Sequence, residues 1–377
     1  VELLDRAGKI AYNDRLGEKN CNQIGQVAFI DAAARSAAME AILQISADQE
    51  FRRLTPTVVF NGLQPAQLKH NHELRQLLDC PQWLSSKELN QLYLQEKDWI
   101  PLEKPCATWL GESMRIGRQI RAVFRRRPRN NLLMLGSSEP EIFGMLGGLL
   151  VGLVQTCSPN EIAFYIADLA LTDGEVAELS PTFRDCFAPQ FKIYLGKRFA
   201  DRDRKIVRAD EIWQQVVAEF DRRQAMRQAN KDEMDFGQSL FFVLALGNLS
   251  QMDQFRPVMG RLSEEVSPDA KKLLEIASRG SELGIHLVLW LSDSKTFQQL
   301  AGGNRAALTH FDLRVALKLS DRDSQDFLGE SVAKHLRETQ AYFANASVPD
   351  ASEKFRPYAI LLPEMIHAYA GLLEQRS

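Results

Sequence analysis

A glycine-led loop follows an apolar run in the segment NLLMLGSSEPEIFGMLGGLL, residues 131 to 150. In a phosphate-binding loop of the pattern GxxxxGK[ST], backbone N–H groups surround the phosphates, a lysine neutralises the β and γ oxygens, and a hydroxyl holds Mg²⁺. Gly136 aligns with the first glycine of this pattern. Glu141, Ile142 and Phe143 fall on the other three defining positions, so the lysine and the hydroxyl are missing.

No shift of register restores the lysine, because neither Lys nor Arg occurs from Asn130 to Phe183. Glu139 and Glu141 would place carboxylates beside a polyanion, at a cost of about 1 to 4 kcal/mol for each close contact. We therefore predict that this chain binds no MgATP by the usual route and has no catalytic residue here. The degenerate nucleotide loop comprises Gly136, Ser137, Ser138, Glu139, Glu141, Ile142 and Phe143.

The acidic strand that a nucleotide site also requires is changed in the same way. In LFFVLALGNLSQM, residues 240 to 252, Leu246 and Gly247 stand where an Asp-Glu pair would hold Mg²⁺ and activate water. We predict no cofactor and no enzymatic activity for this chain. The alternative is a divergent but active ATPase, which would have to bring Lys192 or Lys197 to the loop.

The strongest charge feature is RIGRQIRAVFRRRPRN, residues 115 to 130, which contains no acidic residue. Such a run produces a local positive potential that can contact phosphates of double-stranded DNA. A solvated turn, or a patch paired with the acidic surface of a neighbouring domain, explains the run equally well. The candidate nucleic-acid or interface residues are Arg115, Arg118, Arg121, Arg125, Arg126, Arg127 and Arg129.

Other chemistry is not indicated. Five cysteines without a CxxC pair favour reduced thiols in a cytoplasmic protein, and the six histidines lack metal-ligand spacing. A net charge of -3 gives no global attraction to nucleic acid or to acidic membranes. The longest apolar run, residues 142 to 154, is too short for a bilayer span of roughly 20 residues.

The elements that must position these residues alternate along the chain. Apolar runs at 131–135, 161–168, 191–196, 240–246, 286–292 and 313–320 predict strands, and helical stretches such as 207–230 and 269–280 lie between them. Buried strands that alternate with helices predict an α/β fold with a mostly parallel sheet flanked by helices. Residues 31–46 predict a helix capped by Asp31, and residues 56–62 a short strand.

The two ends of the chain share a plan. Residues 8 to 30 and 339 to 361 each contain Ala-Tyr, a polar loop and a second apolar strand. Two hairpins of one design predict that the first closes a preceding domain and that the second closes this one. We expect a tail hairpin at 1–30, a small helical or mixed subdomain at 31–114, the main domain at 115–365, and a C-terminal helix or tail at 366–377.

The order of motifs from residue 107 to 361 resembles the FtsK/SpoIIIE division of the FtsK-HerA DNA-pumping ATPases. The most specific similarities are Arg279-Gly280 with Gly284-Ile285-His286-Leu287, and Arg314 followed by Asp323-Ser324. The resemblance implies a RecA-like P-loop NTPase fold with degenerate nucleotide motifs. It also implies an upstream active motor domain as a partner, oligomers of the chain, and a role for Arg279 at a boundary with a neighbouring domain.

Two principal functions follow from this resemblance. The first is an inactive assembly or DNA-engaging scaffold for an active translocase, in DNA translocation or bacterial DNA defence. The second is a docking domain of a type VII-like secretion motor, whose empty nucleotide pocket near Phe143 and Leu246 receives a substrate peptide.

Overall fold

A computed structural model describes residues 8–12, 23–48, 64–91, 106–115, 118–169, 174–197, 207–231, 235–260, 264–348 and 352–373. Contacts between residues divide the chain into unit one, Val1–Phe60, and unit two, Asn61–Ser377. The strand predicted at residues 56 to 62 lies outside the described ranges.

Unit one contains a hairpin and a helix. Strands β1 (Lys9–Tyr12) and β2 (Gln23–Gln26) pair antiparallel, and helix α1 (Ala32–Asp48) follows. Asp31 accepts a hydrogen bond from the backbone N–H of Ala34 at 2.7 Å, which satisfies one free donor of the first helical turn. The hairpin and the capped helix predicted from the sequence are both confirmed.

Unit two is built on one sheet of 11 strands in the order β4-β3-β15-β14-β13-β5-β12-β9-β6-β7-β8. The seven strands from β13 to β8 are parallel, and the remaining four extend the sheet antiparallel. The strands are β3 (Cys106–Ser113), β4 (Gln119–Phe124), β5 (Leu132–Leu135), β6 (Ile162–Asp168), β7 (Lys192–Lys197), β8 (Val207–Arg208), β9 (Ser239–Ala245), β12 (Ile285–Leu291), β13 (Leu313–Ala316), β14 (Ala341–Asn345) and β15 (Glu353–Pro357); β10 (Val258–Met259) and β11 (Glu264–Glu265) form a separate hairpin.

Helices cover both faces of this sheet, as the buried apolar strands require. One face packs against α4, α5 and α10, and the other packs against α6, α7, α8 and α9. The helices of unit two are α2 (His72–Leu78), α3 (Ser86–Leu89), α4 (Glu139–Thr156), α5 (Glu175–Phe187), α6 (Ala209–Ala229), α7 (Pro268–Arg279), α8 (Ser294–Leu300), α9 (Asp321–Leu328) and α10 (Pro363–Leu373). The predicted α/β, RecA-like fold is confirmed.

One strand is shorter than its apolar pattern predicts. The run at residues 313 to 320 forms a strand only as far as Ala316. Ser320 then accepts a hydrogen bond from the backbone N–H of Asp323 and caps α9. Leu317, Lys318 and Leu319 lie between the strand and this cap and belong to neither element.

A glycine stripe on α4 allows the helix to lie directly on its neighbours. An added Cβ on Gly144 would lie 1.9 Å from the carbonyl oxygen of Tyr358, and one on Gly152 would lie 2.2 Å from Oγ1 of Thr108. Thr108 in turn donates a hydrogen bond to the carbonyl of Leu149 at 2.8 Å. The stripe is therefore a packing surface within unit two.

The division of the chain falls at positions different from the predicted boundaries. Helix α1 belongs to unit one, whereas residues 64 to 91 contribute buried leucines to the core beneath α4. Strand β3, which we expected in the small subdomain, lies within the main sheet. Pattern alone could not show this, because β3 joins the sheet through β15, more than 200 positions away in sequence.

Candidate functional site

The degenerate nucleotide loop lies where parallel α/β sheets bind ligands, at the carboxyl ends of the strands. Gly136 follows β5 with a φ of 144°, a conformation that favours glycine. Its N–H donates to the carbonyl of Leu291 at 3.2 Å. An added Cβ would lie 2.5 Å from Cβ of Leu317, so this glycine fits closely between β12 and β13.

The indole of Trp290 lies against this loop from the neighbouring strand β12. Its Nε1–H donates to the carbonyl of Gly136 at 2.8 Å, and its ring meets that of Phe143 edge to face with centroids 6.1 Å apart. Trp290 and Phe143 are both buried. The indole of Trp290 thus contacts both the loop after β5 and the second turn of α4.

The N-terminus of α4, which would face phosphate in a working loop, is supplied with carboxylates of its own. Ser138 is the N-cap, and its hydroxyl donates to the carboxylate of Glu141. Glu139 and Glu141 lie in the first turn, where the helix dipole stabilises negative charge. Two carboxylates of the protein therefore lie at the end of α4 that would face a phosphate.

The acidic-strand positions are part of the core. Leu246 is fully buried, and its N–H donates to the carbonyl of Trp290 at 3.2 Å. The carbonyl of Gly247 accepts from the N–H of Ser292 at 2.7 Å. Phe143 and Leu246 both pack inside unit two, so neither side chain is exposed to line the peptide-binding pocket expected beside them.

Neither alternative lysine reaches the loop. Both belong to β7, which is four strands away from β5 in the sheet. At about 4.8 Å per strand this separation is roughly 19 Å, far beyond the reach of a lysine stem. Lys197 donates instead to the carbonyl of Ala177 at 3.1 Å, and Lys192 lies at the amino end of the strand.

The arginine run does not form one surface. It spans edge strand β4, and Arg118 and Arg121 pair with Glu353 and Glu73 at 3.2 and 3.5 Å. Arg125 is buried. The remaining arginines lie at opposite ends of the strand, with Arg115 before it and Arg126, Arg127 and Arg129 after it.

The loop after β4 and the end of α7 meet at the amino edge of the sheet, opposite the degenerate nucleotide loop. Ser281 accepts from the N–H of Asn130 at 3.2 Å and donates to the carbonyl of Arg127. Arg279, two residues before this serine, is exposed. The structure therefore brings Arg127, Arg129 and Arg279 to one edge.

Two of the motif residues that carry the family resemblance, Arg314 and His286, contact backbone carbonyls. Arg314 donates to the carbonyls of Phe311, Phe327 and Leu308 at 3.0 Å each. The ring of His286 stacks on a buried phenylalanine, and Nδ1 lies 2.9 Å from the carbonyl of Asn130. Burial lowers the pKa of His286 to about 4, so the ring is neutral at pH 7.

A cleft of about 390 Å³ opens beside the first turn of α4. Its walls are mostly apolar, with a carboxylate from Glu141 and another from Glu175 at the start of α5. Leu362, between β15 and α10, is 39% exposed there. The apolar lining consists of Pro65, Pro140, Tyr358, Ala359, Ile360, Leu362 and Met365.

The described residues contain no group of three or more His, Cys, Asp or Glu side chains that could hold a metal ion. In the same part of the chain, no helix is long and apolar enough to cross a membrane. The sequence had not singled out Trp290 or this cleft.

Scans against protein-family models and curated protein sequences gave no match. Among solved structures, the chain is similar to the cytoplasmic domain of the type VII secretion ATPase EccC from Thermomonospora curvata. The identity is 17% and the TM-score 0.51, over 80% of this chain and 34% of that one. ATPases 2 and 3 of the same EccC, in complex with a signal sequence peptide, give 17% identity and a TM-score of 0.50 over 74% and 49% of the two chains.

These similarities show a shared fold. The chain spans between about a third and a half of the length of the EccC chains it matches.

Proposed function

We propose that this chain is a RecA-like domain that neither binds nor hydrolyses ATP and that serves as an assembly module for an active FtsK-like motor domain. The observation that carries the proposal is the indole of Trp290, which is buried against Phe143 and hydrogen-bonded to the carbonyl of Gly136. Together with the carboxylates of Glu139 and Glu141, it supplies an internal substitute for the nucleotide. The fold keeps its packing surfaces without the chemistry.

A calorimetric titration of the purified chain with MgATP, combined with a turnover assay, tests the proposal. We expect no heat of binding at millimolar nucleotide and no phosphate release, because the loop presents carboxylates and apolar rings where phosphate contacts are needed. Saturable binding would contradict the proposal. It would mean that the loop rearranges and that a cation from elsewhere completes the site.

The assembly role takes support from the exposed amino edge. Arg279 lies there in the last turn of α7, and Arg127 and Arg129 lie on the adjoining loop. We infer that this edge faces a neighbouring active domain, where an arginine can reach the phosphates of that domain's nucleotide. Arg127 and Arg129, with Arg115 at the other end of β4, are also exposed candidates for contact with double-stranded DNA.

A second candidate function is peptide docking, which the cleft beside α4 favours. An apolar floor with two carboxylates suits an amphipathic segment that carries a lysine or arginine. One of the structurally similar chains was solved with a signal sequence peptide, which supports this interpretation. We infer that the cleft, rather than the filled nucleotide pocket, would receive such a segment in a type VII-like secretion motor.

A further inference from the structure

The hairpin and helix of unit one leave their apolar side chains open to solvent. Helix α1 buries none of its residues, although Met39, Ile42 and Leu43 form a stripe along one side. Phe29, in the link between β2 and α1, is 91% exposed. A contiguous patch of exposed apolar side chains marks a surface that another protein surface covers.

The same arrangement recurs at the other end of the chain, where it is covered. Strands β14 and β15 pair antiparallel, as β1 and β2 do. A five-residue link follows each hairpin, residues 27 to 31 and 358 to 362, and each link leads into a helix. The links also share a sequence pattern, with Val27-Ala28-Phe29-Ile30 in one and Tyr358-Ala359-Ile360-Leu361 in the other.

Corresponding positions differ sharply in exposure. Val27 is 48% exposed where Tyr358 is 1% exposed, and Ile30 is 55% exposed where Leu361 is 2% exposed. The two segments thus follow one plan, but only the second is buried. What covers the second segment therefore indicates what would cover the first.

The covered hairpin has strands on both sides. Strand β14 pairs with β13, and β15 pairs with β3, so the hairpin lies inside the sheet. Its link crosses the glycine stripe of α4, where Gly144 and Gly148 face Tyr358. The N–H of Tyr358 also donates to the carbonyl of Leu110, on β3, at 3.3 Å. The isolated β1–β2 hairpin likewise carries an apolar residue on each face, Ile10 on one and Ile24 on the other, and each is close to half exposed.

We propose that residues 8 to 48 are the closing segment of a second RecA-like domain, whose sheet takes up β1 and β2 as unit two takes up β14 and β15. In unit two this segment follows the parallel strands along the chain. By the same topology, the partner domain precedes the hairpin in one polypeptide. That domain must offer two open strand edges, which pair with backbone N–H and C=O groups of the hairpin.

The partner's chemistry follows from the contacts of the covered segment. The helix after its first parallel strand should carry small residues where the link crosses it, as α4 does with Gly144 and Gly148. A helix pair should receive α1, since α10 packs against α4 and α5 here. This assignment is independent of whether either domain hydrolyses ATP, so it can fail while the proposed function stands.

Hydrogen–deuterium exchange on the 377-residue chain and on the full-length polypeptide that contains it tests this assignment. We expect amides of β1, β2 and α1 to exchange rapidly in the shorter chain and on the order of 100-fold more slowly in the full-length protein, because burial closes them to solvent. Amides of β14 serve as the control and should be protected equally in both. Unprotected amides in the full-length protein would overturn the assignment.

Ile24→Ser gives a second readout that does not depend on exchange. In the 377-residue chain it should leave the melting temperature unchanged, because Ile24 is exposed there. In the full-length protein it should lower the melting temperature of the other domain by several degrees. Gln23→Ser, a polar neighbour on the same strand, should change neither melting temperature.

A second copy of the chain is the competing partner. Protection of residues 8 to 48 from exchange in the shorter chain, rising with protein concentration, would identify that second copy and overturn the proposal.

Discussion

Trp290, near the end of β12, packs against the loop that follows β5. Its indole donates a hydrogen bond to the carbonyl of Gly136 and meets the ring of Phe143 edge to face. The donor is needed, because a buried carbonyl without a partner costs about 1 to 3 kcal/mol.

We expect Trp290→Ala to lower the free energy of unfolding by about 3 to 5 kcal/mol, since it removes a fully packed aromatic side chain. Trp290→Phe keeps the contact with Phe143 and should lose about 1 to 3 kcal/mol for the unpaired carbonyl. Urea denaturation followed by circular dichroism measures both. A loss below about 1 kcal/mol for the alanine variant would show that the indole does not fill the site.

The surviving and the missing motif residues fall into two physical groups. Arg314 and His286, which survive, bond to backbone carbonyls within unit two. The missing lysine and acidic pair would contact nucleotide and metal. In this chain the motif residues that bond to the backbone are present, whereas Glu141, Phe143 and Leu246 stand at positions where nucleotide-binding residues would be expected.

Among the elements, helix α4 owes its close approach to its neighbours to the glycines in its sequence. Its glycines at positions 144, 148 and 152 bring the helix against β3 and against the link after β15. Glycine inside a helix costs about 1 kcal/mol relative to alanine. Glycine stands at these positions despite that cost, because a Cβ would overlap Tyr358 or Thr108.

Gly144→Ala should therefore destabilise the protein, by about 1 to 3 kcal/mol, because its Cβ would overlap the carbonyl of Tyr358. Gly371→Ala in α10 is the matched control. A Cβ at that position meets nothing within 4 Å, so it should stabilise by up to about 1 kcal/mol. Thermal and urea unfolding of the two variants would show opposite signs. Equal effects would refute the packing role of the stripe.

Strand β4 shows why a charge pattern alone could not define a surface. The sequence places seven arginines in one segment, residues 115 to 130, that contains no acidic residue. The fold brings Glu73 from α2 and Glu353 from β15 beside two of them. A strand of six residues also separates the two ends of the run by about 20 Å. Local composition therefore overstated the unpaired charge.

At the scale of the whole molecule, potential binding surfaces lie at opposite edges of one sheet. The carboxyl edge carries the loop after β5 and the adjoining cleft with Glu141 and Glu175. The amino edge carries exposed Arg127, Arg129 and Arg279. A partner of basic amphipathic character fits the first, and an anionic partner fits the second.

We expect a synthetic amphipathic helix of leucine and lysine to bind the chain, because its apolar face and charge complement the cleft. Changing Glu141 and Glu175 together to glutamine should weaken binding about tenfold, which corresponds to about 1.4 kcal/mol. Fluorescence anisotropy of a labelled peptide measures this. Glu282→Gln, an exposed acid at the amino edge, is the control and should have no effect.

The competing outcome is preferential binding of DNA. A double-stranded duplex that binds more tightly than the peptide, with affinity falling steeply as salt rises, would contradict the peptide interpretation and assign the amino edge to phosphate contacts.

The sequence by itself determined the α/β fold, the end hairpins, the capped α1, and the loss of both charged nucleotide motifs. These features depend on local periodicity, on turn and cap residues, and on which side chains carry charge. Only the tertiary structure decided that Trp290 packs against the loop after β5, that the arginines divide between two ends of β4, and that β3 belongs to the main sheet. Those outcomes depend on contacts between residues far apart in the chain, and local patterns do not specify such contacts.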